Sequence, residues 1–146
     1  MLRQVSEPGK GNSMENNNPT VMIADDYDDV RAILKSWFEQ HACQVVEARS
    51  GKEAVELAGR VQPSLIIMDL AMPEIDGFGA AFLIRSQKDL QKVPIIAITA
   101  YGELGIDESL KVDPESRGFN AYLPKPFAPE KLFAIVDRYL PRRSDA

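Results

Sequence analysis

The chain has 146 residues, of which 45% are hydrophobic, and its formal net charge is −5. This length predicts one domain with a proper core, and the acidic charge argues against a direct nucleic-acid partner. The one cysteine, Cys43, excludes an internal disulfide and a cysteine zinc cage. No stretch is apolar enough for a signal core or a membrane span, so we expect a cytoplasmic protein that does not contact the membrane.

The first half of the chain alternates apolar strands with amphipathic helices. Residues 1–19 are polar, and we expect a disordered leader, or extra residues ahead of a natural start at Met14. The domain is expected to span 20–141, with 142–146 as a tail. Strands are predicted at 20–24 and 44–48, and Ser50 with Glu53 matches a capping box that opens the second helix. The two helical stripes comprise Val30, Ile33, Leu34, Trp37, Phe38, and then Ala54, Leu57, Ala58 and Val61.

The second half begins with the most apolar strand of the chain, residues 65–68, which ends at Asp69. A helix at 77–85 is predicted to carry Phe78, Ala81 and Phe82 inward. A strand at 94–98 precedes Thr99, and glycines and a proline interrupt 101–120, for which we expect a short helix near 103–111 and a long loop. A strand at 121–123 and a last helix, opened by Pro129, complete the domain.

Five strands alternating with helices predict a doubly wound α/β fold, with a five-stranded parallel sheet and helices on both faces. Because the crossovers are right-handed, the carboxyl ends of the strands meet at one edge, where ligands bind in such sheets. Five polar side chains are therefore expected to converge there: Asp25, Asp26, Asp69, Thr99 and Lys125.

Three carboxylates at one edge repel each other, by roughly 4 kcal/mol for two charges about 4 Å apart at an effective dielectric of 20. A divalent cation such as Mg²⁺, which prefers oxygen ligands, offsets this repulsion. Lys125 adds a fixed positive charge, and Thr99 adds a hydroxyl donor. This combination suits a phosphoryl group, for which a carboxylate can be the acceptor.

Four motifs in this order resemble the receiver domain of bacterial two-component response regulators. They are Ala24-Asp25-Asp26, the turn from Asp69 to Pro73 with Asp76-Gly77, Thr99-Ala100, and residues 122–127. The resemblance implies a flavodoxin-like strand order, 2-1-3-4-5. It also implies that Asp69 accepts a phosphoryl group from a histidine kinase or a histidine phosphotransfer protein.

The resemblance further implies how the site would hold its ligands. Asp26, Asp69 and the backbone carbonyl of Ala71 would bind Mg²⁺ directly, with Mn²⁺ as a substitute, and Asp25 would act mainly through water. Lys125 would pair with the phosphoryl group, and the Lys125–Pro126 bond is expected to be cis.

The resemblance also implies a conformational switch that responds to phosphorylation and a gate that controls the access of the hydrolytic water. Thr99 would move toward the phosphoryl oxygen while the Tyr122 ring turns inward. Ala71 and Tyr101 would flank the path of the hydrolytic water, and we expect slow self-dephosphorylation because Ala71 cannot orient a water. The partner-binding face is expected within residues 103–140. This face would bind a downstream protein target, or a second copy of the chain in a phosphorylation-dependent homodimer.

The leading interpretation is a signalling module, either stand-alone or a piece of a longer protein. We expect that it is not an enzyme and that it promotes only its own phosphorylation and dephosphorylation. A Mg²⁺-dependent aspartyl-phosphate phosphatase on a similar fold is the alternative. Such phosphatases carry a second aspartate two residues after the nucleophile, where this chain has Ala71. An FMN carrier is a third class, but the anionic stretch after the first strand, residues 25–29, would repel phosphate.

Overall fold

The computed structural model describes residues 18–100 and 113–140. Within these residues, five parallel strands form one sheet in the order β2-β1-β3-β4-β5. The strands are β1 (Thr20–Ala24), β2 (Gln44–Ala48), β3 (Leu65–Asp69), β4 (Ile95–Ala100) and β5 (Ala121–Lys125). The helices are α1 (Asp28–Gln40), α2 (Gly51–Val61), α3 (Gly77–Arg85) and α4 (Pro129–Tyr139). The predicted fold class and strand order are confirmed.

Local sequence signals account for the starts of three helices. The Ser50 hydroxyl accepts a hydrogen bond from the Glu53 N–H at 3.1 Å, so the predicted cap of α2 is present. Asp76 caps α3 by accepting from the Gly79 N–H at 2.9 Å. Pro129 occupies the first turn of α4, where its missing N–H costs nothing.

The central strand β3 is buried along its whole length because helices cover both faces of the sheet. Side chains alternate between the faces of a strand, and the core accordingly divides into two clusters. Met22, Ile66 and Met68 pack with α2 and α3 on one face. The second cluster packs with α1 and α4 on the other face, and its strand members include Val21, Ile23, Leu65 and Ile67.

The inward faces of two helices differ from the predicted ones. Phe82 is 71% exposed and Ile33 is 51% exposed, so the prediction that both pack inward is wrong. In α3 the buried positions are Gly77, Ala80, Ala81 and Ile84, which also follow helical spacing. Ala80, Ala81 and Ile84 pack into the cluster on the α2–α3 side of the sheet, with α2 as the close neighbour of α3, and the larger Phe82 ring lies outside.

Smaller differences concern Trp37 and the strand ends. Trp37 is half-buried and packs at the edge of the α1–α4 cluster. β4 extends to Ala100 and β5 extends to Lys125, beyond their predicted ends. The helix predicted near 103–111 lies outside the described residues.

Candidate functional site

Polar side chains from four strand ends meet at one edge of the sheet, as predicted. Parallel pairing sets Asp69 beside Ile98, and Ala100 beside Lys125, so the ends of β3, β4 and β5 lie together. Ligand oxygens from Asp25, Asp26 and Asp69 lie within 4.8 Å of one another. The sequence motifs, which are far apart along the chain, therefore form one acidic site.

Asp25 is fully buried and tightly held at the end of β1. One carboxylate oxygen accepts from the Tyr27 N–H at 2.9 Å, and the other accepts from the Lys125 Nζ at 3.0 Å. Lys125 Nζ also lies 3.8 Å from Asp69 Oδ1, and the Lys125–Pro126 peptide bond is cis, as expected. The lysine is therefore the cation shared by two of the three carboxylates.

Asp69, at the end of β3, is only 2% exposed. Its pKa is raised from 3.8 to about 7, first because burial penalises the charged form and then because the Asp25 carboxylate lies nearby. Lys125 and the Ala71 N–H, which donates to Asp69 Oδ1 at 3.3 Å, lower the pKa and oppose this shift. The carboxyl group is therefore partly protonated near neutral pH.

Two buried oxygens of the site lack a hydrogen-bond partner. They are Asp26 Oδ1 and Thr99 Oγ1, and among the described residues no other buried side-chain nitrogen or oxygen is unpartnered. A buried polar group without a partner costs about 1–3 kcal/mol, and more when it is charged. Both atoms are explained if a ligand satisfies them. Three clustered carboxylates fit Mg²⁺, a hard cation that takes oxygen ligands.

The loop after Asp69 approaches the start of α3 closely. A Cβ at Gly77 would lie 2.4 Å from the Asp69 carbonyl oxygen and 2.8 Å from the Leu70 Cα. The Gly77 N–H donates to the Leu70 carbonyl at 3.0 Å, which closes the loop. Only glycine fits here, and this contact fixes the backbone that carries Asp69 and Ala71.

The predicted switch and gate residues occupy different surroundings. Thr99 is fully buried in β4, whereas Tyr122 is half-buried in β5 and packs against the α2–α3 cluster. Ala71 follows Asp69 in the loop and is half-buried. Tyr101 lies outside the described residues.

Sequence reasoning missed two residues beside the site. Arg31 of α1 is 6% exposed and donates to the Asp25 carbonyl at 2.8 Å. The spacing of Arg31, Leu34 and Phe38 along the sequence could have indicated that they share one helix face, which is the buried face of α1. Tyr27 is 61% exposed, and its ring centroid lies 6.0 Å from Lys125 Nζ. No sequence pattern distinguished Tyr27 from an ordinary residue ahead of a helix.

Within residues 18–100 and 113–140, no helix combines the length and apolar character that crossing a membrane would require.

Comparisons with known proteins agree with this geometry. The sequence model for "Response regulator receiver domain" matches residues 21–137. The transcriptional regulatory protein SrrA of Staphylococcus aureus is 36% identical over 122 residues, which cover 84% of this chain and 48% of SrrA. The chain therefore spans about half the length of the curated relatives it matches.

Solved structures show the same fold. A putative response regulator from Chloroflexus aurantiacus is 32% identical with a TM-score of 0.75, and the match covers 86% of this chain and 99% of that one. The receiver domain of the sensor histidine kinase PA1611 from Pseudomonas aeruginosa is 29% identical with a TM-score of 0.74, covering 84% and 97%. That structure has a magnesium ion coordinated in its active-site cleft.

Proposed function

Because the chain belongs to the response regulator receiver family, we propose that it is a signalling module in which Asp69 accepts a phosphoryl group with Mg²⁺ bound. The observation that carries the proposal is the cluster of Asp25, Asp26 and Asp69 together with two buried oxygens that have no partner among the described residues. The donor would be a histidine kinase or a histidine phosphotransfer protein.

The residues divide the chemistry among them. An Asp69 oxygen attacks the phosphorus, the bond from phosphorus to the donor's histidine nitrogen breaks, and that nitrogen keeps the electron pair and takes a proton. Asp26, Asp69 and the Ala71 carbonyl would hold Mg²⁺, with Asp25 acting through water. When bound, Mg²⁺ supplies positive charge for the ionised carboxylate and the phosphoryl oxygens. Lys125 supplies a fixed positive charge, and Thr99 supplies a hydroxyl donor.

The consequences of phosphorylation are also part of the proposal. Thr99, whose hydroxyl has no partner among the described residues, would turn toward a phosphoryl oxygen, and the half-buried Tyr122 would move inward in response. Residues 103–140 would then present the partner-binding face. We also propose that Ala71 and Tyr101 set the lifetime of the phosphorylated state, and that residues 20–141 form the domain. The sequence match and β1 lie within those bounds.

The phosphatase alternative is not favoured. Ala71 stands where such an enzyme would carry its second aspartate, and the side chain of Ala71 offers neither an acid nor a base.

The direct test is phosphorylation with acetyl phosphate and Mg²⁺, measured by intact mass. Wild type should gain one phosphoryl group, and Asp69→Ala should gain none. Asp89→Asn is a matched control because it removes a carboxylate from a surface contact with Gln62, remote from the acidic site. Equal labelling of wild type and Asp69→Ala would contradict the assignment of the acceptor.

A further inference from the structure

Arg31 is a buried cation in the first turn of α1, and its guanidinium is held on three sides. Nη1 donates to the Asp25 carbonyl at 2.8 Å, in a fully buried hydrogen bond. Nε donates to the Glu47 carboxylate of β2 at 3.1 Å, and Nη2 forms an ion pair with Asp28. One side chain thus joins the end of β1, the start of α1 and the strand β2.

The charge of Arg31 is already balanced by its own neighbours. Asp28 and Glu47 are both carboxylates within ion-pair distance of the guanidinium. Among the described residues, the cation that contacts Asp25 and Asp69 of the acidic site is instead Lys125. Arg31 therefore acts on the site through the backbone that it holds, because its charge is neutralised elsewhere.

The backbone that Arg31 holds carries a predicted metal ligand. The Asp25 carbonyl and the Asp26 N–H belong to one planar peptide unit, so fixing the carbonyl fixes the plane from which Asp26 continues. The other side of Asp25 is anchored as well, since its N–H donates to the Ala48 carbonyl at 3.1 Å. Asp26 Oδ1 is buried and has no hydrogen-bond partner in the part of the chain that the structure describes. The direction of the Asp26 carboxylate therefore depends on the Asp25–Asp26 peptide unit that precedes it.

We propose that Arg31 is a positioning residue that sets the divalent-cation affinity of the acidic site by orienting the Asp25–Asp26 peptide. The inference depends on the metal site in the proposed function. The planar fork of arginine can bind three acceptors in fixed directions, whereas a lysine ammonium at the same place cannot reproduce that geometry. Hydrogen-bonding partners behind metal ligands typically change metal affinity by about 10–100-fold when they are removed.

The experiment titrates the full chain with Mn²⁺ and follows free Mn²⁺ by electron paramagnetic resonance. Arg31→Lys keeps the positive charge but loses the fork, and Arg31→Met keeps only the apolar stem. Both variants should bind Mn²⁺ about tenfold more weakly than wild type. Leu34→Ala is the matched control, because Leu34 is buried on the same helix but contributes to the apolar core. It should lower the stability measured by urea unfolding and leave the Mn²⁺ dissociation constant unchanged.

A second variant keeps Arg31 in place and tests the proposal even if the arginine variants do not fold. Glu47→Ala removes the acceptor of Nε, so the guanidinium loses one of its supports. Its Mn²⁺ affinity should fall in the same direction, by less than about tenfold.

Two results would overturn the inference while leaving the metal site intact. One is an Arg31→Lys protein that binds Mn²⁺ within about twofold of wild type while Asp26→Ala loses binding, which would make Arg31 only an anchor between α1 and β2. The other is equal weakening by Leu34→Ala, which would make the effect a general loss of rigidity. If wild type binds no Mn²⁺, the proposed metal site is itself wrong, and the role of Arg31 is wrong with it.

Discussion

Replacing Asp69 by asparagine should stabilise the metal-free protein at pH 8. The Asp69 pKa is about 7 in the folded chain, against an ordinary value of 3.8, so folding favours the protonated form of this group. The folded state therefore binds more protons than the unfolded state between these two values, and stability falls as pH rises through this window. Above pH 7 the ionised carboxylate destabilises the fold, and asparagine removes that charge.

The magnitude follows from the size of the pKa shift. A shift of about three units at 1.36 kcal/mol each sets an upper value of about 4 kcal/mol, and we expect about 2–4 kcal/mol. For a domain of this size, that corresponds to a rise of roughly 4 °C in Tm for each kcal/mol. The side-chain oxygen of the introduced asparagine can still accept the hydrogen bond from the Ala71 N–H, so the loop keeps its contact.

The assay is urea unfolding in EDTA at several pH values from 4 to 8. The stability difference between Asp69→Asn and wild type should be small at pH 4 and should grow with pH. Added Mg²⁺ should stabilise wild type more than the variant and reduce the difference. Asp89→Asn should follow wild type throughout. A variant that is less stable than wild type at pH 8, or a difference independent of pH, would refute the reasoning.

Three further predictions concern the same edge of the sheet. Asp26→Ala should abolish the rise in Tm that Mg²⁺ gives wild type; an undiminished rise would remove Asp26 from the ligand set. Gly77→Ala should lower the free energy of unfolding by about 1–3 kcal/mol, because its Cβ would meet the Asp69 carbonyl; urea midpoints equal to wild type would contradict this contact. Ala71→Asn should shorten the half-life of the acyl phosphate by up to about tenfold, because the asparagine amide can orient a water molecule. The half-life is measured from the rate of acyl-phosphate hydrolysis, and a longer half-life would contradict the proposed role of position 71.

The strand order was implied only by the resemblance to receiver domains, whereas the residues themselves were sufficient to predict the convergence of the acidic site. The reason is that β3 is apolar along its length and Asp69 comes directly after its apolar run. Once the strands are parallel, topology alone brings the ends of β1, β3, β4 and β5 together.

The sequence was less informative about which side chains face inward. Hydrophobicity assigned Phe82 to the core, but the buried face of α3 is made by Gly77, Ala80, Ala81 and Ile84, and the Phe82 ring is exposed. Arg31 was missed for a related reason, because its burial depends on Glu47, which lies 16 positions away on β2. A periodic pattern reports which residues share a helix face, but it does not report what that face meets.

The unfavourable features of this fold are concentrated where a ligand would relieve them. Among the described residues, both unpartnered buried side-chain oxygens, on Asp26 and Thr99, belong to the acidic site, and so does the carboxyl group whose pKa is about 7. To act as the proposed phosphoryl acceptor, Asp69 would have to ionise, yet burial and Asp25 favour its protonated form. A cation held by the same carboxylates would favour ionisation, so metal binding and phosphoryl acceptance would be coupled through one titrating group. The stability lost in the metal-free state and the reactivity gained with metal would then have a common physical origin.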